Sequence, residues 1–244
     1  MFDVDGTLAP IVSRPDDAAV PEATRELLLK LSRRYALVAC LSGRRAEDAR
    51  RIVGLCELTY VGNHGLENLR PGSDQPETLS EADSYASAVR TFANAAYTSE
   101  LRDAGIRLED KESIWSLHWR EASDQSAARA LLQRVATSAE RSDLVPHWGR
   151  KVLELRPPIA VDKGTALRRL LEQRGLEAAL YAGDDTTDLD AFRGLRQLRS
   201  DEGLEHVVCV GVGSEEGPAR IAAEADLVVD GPDGFRELLA QLAR

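Results

Sequence analysis

Apolar and polar positions along this chain follow two regimes. Over residues 21–35, Leu27, Leu28 and Leu31 recur at helical spacing and Pro21 suits a first turn, so a helix is predicted there. Residues 36–41 are a short continuous apolar run, the pattern of a strand buried on both faces of a parallel sheet. That run ends at Ser42-Gly43-Arg44, and helical character resumes over 45–53. Residues 58–61 predict a further strand ending at Gly62-Asn63-His64-Gly65. Strand, loop and helix in alternation imply a parallel sheet with crossovers. Residues 71–76 are polar, carry Gly and Pro, and read as a hinge or linker.

Beyond that stretch the regime changes. A helix is predicted over 80–102, and 106–111 and 114–120 then alternate with period two, as an antiparallel pair with one exposed face does. A helix over 123–140, strands over 144–148 and 151–155, and Pro157-Pro158 complete an α+β segment. From Asp162 the first regime returns. It gives a helix over 165–175, a strand over 179–182 ending in Gly183-Asp184-Asp185, and a helix from Asp188. Strands over 207–210 and 227–229 and a closing helix over 234–244 follow. The reading is an α/β chain, with a parallel-sheet domain over 1–72 and 158–244 and an inserted domain over 73–157. Only Met1 and Phe2 precede Asp3, so either the first strand is short or a longer form carries more residues before it.

Composition narrows the partners. With 244 residues and 43% hydrophobic side chains the chain can bury a sizeable core. Its net charge of −10 argues against nucleic acid or an anionic membrane as the main partner, since both are polyanions. An anionic small substrate is still allowed, because local basic groups can hold a phosphate on an acidic protein. Cys40, Cys56 and Cys209 are odd in number and lack metal-ligand spacing, and Cys40 and Cys209 sit in apolar runs, so buried inert thiols and a reducing cytoplasm are expected. No charged leader followed by an apolar run is visible, and no apolar stretch is long enough to span a bilayer.

Candidate chemistry gathers in four clusters, three at strand ends and one at a helix start. Asp3 and Asp5 flank one residue, so in an extended segment both lean the same way, and Gly6 permits a sharp turn directly after them. Two carboxylates so placed suit a cation site beside a carboxylate nucleophile, although an acidic surface turn has the same look. Ser42 and Gly43, with Arg44 beside them, offer a hydroxyl and backbone N–H groups to phosphate oxygens, or Ser42 is simply a helix cap. Lys163 precedes Gly164 and can neutralise a phosphoryl group, or is a solvated surface lysine. Asp184, Asp185 and Asp188 place three acids within five residues at a strand end, a costly arrangement unless a hard cation such as Mg²⁺ is present. In an open parallel sheet such clusters converge at the carboxyl ends of the strands.

Together the four clusters resemble the motifs of the haloacid dehalogenase (HAD) superfamily of aspartyl-phosphate phosphatases. Within it, the longer stretches at 3–11, 41–44, 62–67, 109–111, 117–120, 149–157 and 183–188 are similar to the trehalose-6-phosphate phosphatase family. The resemblance implies a Rossmann-like HAD core with an inserted C2-type cap, and hydrolysis of a phosphosugar. Asp3 would be the nucleophile and Asp5 the general acid and base. Asp3, Asp184 and the Asp5 main-chain carbonyl would hold Mg²⁺, with Asp185 and Asp188 supporting them. Ser42, Gly43 and Lys163 would bind the phosphoryl group. Arg44, Asn63, His64 and Gly65 would lie by the substrate, and Glu109, Lys111, Arg120, Arg150 and Glu154 on glucose hydroxyls. For the last five, an exposed strand face with cross-strand ion pairs is the plainer reading. The family usually carries Lys where Arg150 stands, and often Glu where Asp190 stands. A synthase making trehalose 6-phosphate is the implied functional partner. Two other readings compete: a related sugar phosphatase, of the sucrose-phosphate or mannosylglycerate-phosphate type, and a non-catalytic phosphosugar-binding module. The latter would be expected to lack one of Asp3, Asp5, Lys163 or Asp184.

Overall fold

The computed structural model describes residues 1–12, 14–172, 174–201, 203–213 and 217–244. In chain order, α1 (Glu22–Arg34), β1 (Ala39–Leu41), α2 (Ala46–Val53), β2 (Thr59–Gly62), β3 (Glu67–Leu69) and β4 (Glu77–Thr78) come first. Then follow α3 (Ser80–Ala96), α4 (Ser99–Asp103), β5 (Arg107–Asp110), β6 (Trp115–His118), α5 (Gln125–Glu140), β7 (Val145–Gly149) and β8 (Val152–Arg156). The chain finishes with α6 (Lys163–Leu171), β9 (Ala178–Gly183), α7 (Asp188–Ser200), β10 (His206–Gly213), α8 (Ala219–Glu224), β11 (Leu227–Asp230) and α9 (Gly231–Leu242). Two compact units result, Met1–Glu77 with Val161–Arg244, and Thr78–Ala160. The sequence pattern placed the inserted segment at 73–157.

The first unit is a mixed α/β layer structure built on a mainly parallel sheet. β1 pairs with β2, and β10 with both β9 and β11, all in parallel. The opening residues join these halves. Phe2 bridges Cys40 on one side and Ala182 on the other, and the Phe2 and Asp3 N–H groups donate to the Ala39 and Ala182 carbonyls, each at 2.9 Å. Phe2 thus lies between β1 and β9, which sets Asp3 in the middle of the sheet. Alternate residues feed opposite faces. Phe2, Cys40, Tyr60, Ala182 and Val210 pack with Leu28, Ile52 and Phe235 of α1, α2 and α9. Met1, Leu41, Val61, Tyr181 and Cys209 pack with Leu167, Phe192 and Ile221 of α6, α7 and α8. Both faces are covered, which explains the continuous apolar runs. Each Leu or Phe so buried contributes about 1.5–3 kcal/mol. Cys40 and Cys209 are buried within this packing and Cys56 is exposed; burial pushes the Cys40 and Cys209 thiols up to about 12, where they are inert.

The second unit is an antiparallel sheet in the order β5-β6-β8-β7. Trp115, Leu117, Leu153 and Leu155 point to one face, where Val89, Ala93, Leu132 and Val135 of α3 and α5 cover them. Register pairs Ser116 with both Glu109 and Glu154, and His118 with Arg107, so the opposite face is polar.

Several boundaries differ from the pattern. Residues 71–76 do not link the units; they join β3 to its sheet neighbour β4, a turn closed by the Arg70–Glu77 ion pair at 2.9 Å. Strands this short carry too few residues to show a period. The helix predicted over 80–102 breaks at Tyr97, whose hydroxyl donates to the Ile106 carbonyl at 2.9 Å. α6 starts two residues before its prediction, because the Asp162 side chain accepts from Thr165 N–H at 2.7 Å in a capping box. α9 likewise starts early, with Pro232 in its first turn.

Candidate active site

Ser42 and Asp184 follow β1 and β9 at their carboxyl ends, and Asp3 follows the Phe2 bridge between them, all at the edge where ligands of such sheets bind. Lys163, at the first position of α6, completes the group. Its ammonium donates to Asp3 Oδ1 at 2.6 Å and to Asp188 Oδ1 at 2.7 Å, and it is buried. The solvated-lysine alternative is thereby removed. Gly164 permits the placement, because a Cβ there would stand 2.3 Å from the Asp190 carbonyl of α7.

Among the described residues, Asp3, Asp184 and Asp188 bring one carboxylate oxygen each within 4.8 Å of one another, and all three are buried. Burial pushes Asp3 well above the usual carboxylate range. Lys163 opposes that rise, while Asp188 and Asp184 add to it. Lys163 shows the converse: burial would lower it, but Asp188 and Asp3 outweigh burial and hold the ammonium charged. Three buried carboxylates gathered in this way form a hard-oxygen donor set that fits Mg²⁺.

The three acids differ in their commitments. Asp188 Oδ1 accepts from Lys163 and from the Tyr181 hydroxyl at 2.7 Å, and Oδ2 accepts from the Asp184 and Asp185 N–H groups at 3.0 and 2.9 Å. Both its oxygens are thus occupied in shaping the turn, which leaves Asp3 and Asp184 as the better direct ligands. Gly183 makes this possible, since a Cβ there would meet the Asp188 Cγ at 2.2 Å. Asp185 contributes its N–H, and its carboxylate is outside the three-acid group. The buried Tyr181 phenol is held well above its ordinary range by burial and by Asp188, so it remains a donor. Sequence reading missed Tyr181; its place three residues before Asp184, on the inward face of β9, was the available signal.

Asp5 stands apart from the three-acid group. Its carboxylate takes two hydrogen bonds from Arg44, Nε to Oδ2 and Nη2 to Oδ1, both at 2.7 Å. Arg44, expected beside the substrate, thus grips the side chain of Asp5. Directly after Asp5 the chain turns at Gly6, whose φ of +89° favours glycine and whose missing Cβ would lie 2.3 Å from Asp184 Oδ2.

The turn after β2 clasps the turn after β1. Asn63 N–H donates to the Arg44 carbonyl at 2.7 Å and His64 N–H to the Ser42 carbonyl at 3.0 Å. Both residues hold left-handed backbone angles, φ 48° and 57°, a strained pair such as functional loops retain. The His64 ring lies against Gly43, where a Cβ would sit 2.6 Å from it. Ser42 Oγ accepts from Arg44 N–H at 3.1 Å. Buried Glu67, beyond Gly65 at the start of β3, accepts from the Ala46 N–H at 2.8 Å and from Asn63 Nδ2 at 2.6 Å. Glu67 therefore caps α2 from a strand, a role that local sequence spacing does not reveal.

In the second unit, Lys111 donates to Glu154 at 2.9 Å and both are buried. Glu109 shares the polar face and meets His118 at 2.5 Å. Burial would raise Glu109, but the His118 hydrogen bond and the Lys111 charge prevail and hold it at about 2. Arg120 and Arg150 lie at the other end of the sheet from Lys111, beyond the His118–Val152 pair, with Arg150 in the β7–β8 turn. The five residues expected on sugar hydroxyls thus divide into Glu109, Lys111 and Glu154 on one face and two arginines at its far end.

The sequence model of the family described as Trehalose-phosphatase matches residues 1–225. The chain belongs to the trehalose-phosphatase family. Among its relatives, a rice (Oryza sativa subsp. japonica) protein named "Probable trehalose-phosphate phosphatase 4" is 35% identical over 210 residues, which cover 83% of this chain and 57% of the rice protein. The maize (Zea mays) "Trehalose 6-phosphate phosphatase RA3" is 33% identical over 221 residues, 83% of this chain and 60% of its own. This chain thus spans under two thirds of the length of either plant protein. Trehalose-phosphatase relatives also share the fold. A solved "trehalose-6-phosphate phosphatase related protein" superposes with a TM-score of 0.79 at 24% identity, over 99% of this chain and 96% of that one. An Aspergillus fumigatus trehalose-6-phosphate phosphatase superposes at 0.64 with 28% identity, over 99% and 91%. The fold is that of HAD-like hydrolases. No helix among the described residues is long and apolar enough to cross a membrane.

Proposed function

We propose that this chain is a Mg²⁺-dependent phosphatase that hydrolyses trehalose 6-phosphate through an aspartyl-phosphate intermediate. The observation that carries the reading is buried Asp3, paired with Lys163 and gathered with Asp184 and Asp188 in a chain of the trehalose-phosphatase family. The substrate follows from the names of the plant relatives.

In the first step an Asp3 carboxylate oxygen attacks phosphorus. The new P–O bond forms as the bond to the sugar oxygen breaks, and that oxygen takes a proton from Asp5. In the second step Asp5 takes a proton from water, whose oxygen attacks phosphorus and breaks the bond to Asp3. Phosphate leaves and both carboxylates return to their starting forms. Lys163, Ser42 and the Gly43 N–H hold phosphoryl oxygens throughout. Asp188, anchored by Tyr181, orients Lys163, and Asp185 helps to fix the turn through its N–H. Arg44 steers the Asp5 carboxyl group and must release it when Asp5 carries a proton. Asp3, Asp184 and the Asp5 main-chain carbonyl are the groups that would hold Mg²⁺, which would neutralise charge on the phosphoryl oxygens. Glu109, Lys111 and Glu154 recognise the disaccharide from the polar sheet face of the second unit, with Arg120 and Arg150 at its far end. The free, buried Cys40 and Cys209 suit a reducing cytoplasm.

Phosphate release from a panel of phosphosugars, with and without Mg²⁺, tests this reading. Trehalose 6-phosphate should be preferred and the rate should fall when Mg²⁺ is chelated. A preference for sucrose phosphate or glucose 6-phosphate would remove the substrate assignment. Full turnover by Asp3→Asn would remove the covalent mechanism.

A further inference from the structure

The charged cluster on the polar sheet face contains a residue to which neither the motifs nor the relatives give a role. Arg156, two positions beyond Glu154 on β8, projects to the same face. Its Nε and Nη2 both donate to Glu154 Oε2, at 3.0 and 2.6 Å. Lys111 Nζ donates to the other oxygen, Oε1, at 2.9 Å, and Ser116 Oγ reaches Oε1 at 3.5 Å. The Arg156 and Glu154 side chains are only 14% and 6% exposed, so water screens the pair weakly. A carboxylate oxygen offers two lone pairs, and the guanidinium takes both on Oε2. Lys111 and Ser116 meet only Oε1, and the Arg156 fork is what engages Oε2. With a planar fork on one oxygen and an ammonium on the other, its plane is fixed, and so is the Lys111 ammonium that leans on it.

We propose that Arg156 is a positioning residue for sugar recognition. It sets the orientation of Glu154, and through it Lys111, before the ligand arrives. This rests on the reading that Glu154 and Lys111 bind the disaccharide. The arrangement saves the ligand from ordering two long charged side chains, and its loss should fall on binding.

Steady-state kinetics of Arg156→Ala and Arg156→Lys test the proposal, with trehalose 6-phosphate and p-nitrophenyl phosphate as substrates. Losing a hydrogen bond to a charged group implies that Arg156→Ala raises KM for the disaccharide phosphate about tenfold, with kcat within about twofold. The efficiency on p-nitrophenyl phosphate, which has no sugar to recognise, should stay within about twofold. Arg156→Lys keeps the charge but lacks the fork, and should recover only part of the KM. In a Glu154→Gln background, Arg156→Ala should change KM by less than about twofold, because its route of action is already cut. Equal losses on both substrates, an unchanged KM, full recovery by Lys, or an undiminished tenfold effect beside Glu154→Gln would each overturn the proposal. Should the wild-type protein prefer another phosphosugar, the substrate reading fails by itself. The same comparison run on that sugar then decides the role of Arg156.

Discussion

Replacing Lys163 by Met should unbalance the acid cluster while preserving the length of the side chain. Lys163 is 3% exposed and its ammonium serves Asp3 at 2.6 Å and Asp188 at 2.7 Å, with Asp184 in the same group. Removing one partner of a buried ion pair destabilises by about 3–5 kcal/mol, because the remaining charge stays buried and uncompensated. For a chain of 244 residues each kcal/mol shifts Tm by about 2–4 °C, so a drop of roughly 6–20 °C is expected at pH 7 in EDTA. The pH dependence has a definite sign. Asp3 lies above its ordinary value of 3.8 in the fold, so its contribution to stability is complete below that value and is lost as pH rises through the raised one. The Tm penalty of Lys163→Met should therefore shrink as pH falls, because protonation of Asp3 relieves its uncompensated charge. On the proposed reading Mg²⁺ would supply positive charge to the same oxygens, so it should raise the Tm of the variant more than that of the wild type. Thermal melts of both proteins followed by circular dichroism, in EDTA at pH 7 and pH 5 and then in Mg²⁺, give these comparisons. A variant melting within about 2 °C of wild type in EDTA at pH 7 would show that Lys163 does not balance these carboxylates.

Tyr181→Phe removes one donor from buried Asp188 and keeps the ring; urea denaturation should show a loss of about 1.5–3 kcal/mol, and kcat should fall more than KM changes, because the loosened group is Lys163. Gly183→Ala would set a methyl group 2.2 Å from the Asp188 Cγ; overpacking of about 1–3 kcal/mol should appear in Tm, and calorimetry should record weaker Mg²⁺ binding. Glu109, held at about 2 against an ordinary 4.5, lends stability that is present above 4.5 and is lost as pH falls through about 2; His118→Ala should move its NMR-detected titration back towards 4.5, and an unmoved titration would assign the shift to other charges.

Much of this protein was readable one segment at a time. Continuous apolar runs such as residues 36–41 marked strands covered on both faces, and the period-two stretches 106–111 and 114–120 marked a sheet with one polar face, because side-chain period reports burial directly. The acids at 3, 5, 184, 185 and 188 pointed to a cation site, since like charges at strand ends are otherwise costly, and the structure gathers Asp3, Asp184 and Asp188 of them. Features that depend on distant segments were not readable. β3 and β4 have no period of their own and exist through their sheet neighbours. Glu67 became a helix cap only because β3 runs past the start of α2. Lys163 could have been any surface lysine until α6 and α7, approaching closely at Gly164, set it between Asp3 and Asp188. Asp188 and Tyr181 acquired their roles the same way, by contact across a turn and a strand rather than by neighbourhood in sequence. Sequence alone determined which residue types could do the chemistry and which faces were buried, because both are local properties of composition and period. Tertiary structure alone decided which acid faces which base, because a hydrogen bond between residues 160 positions apart exists only after the sheet has closed.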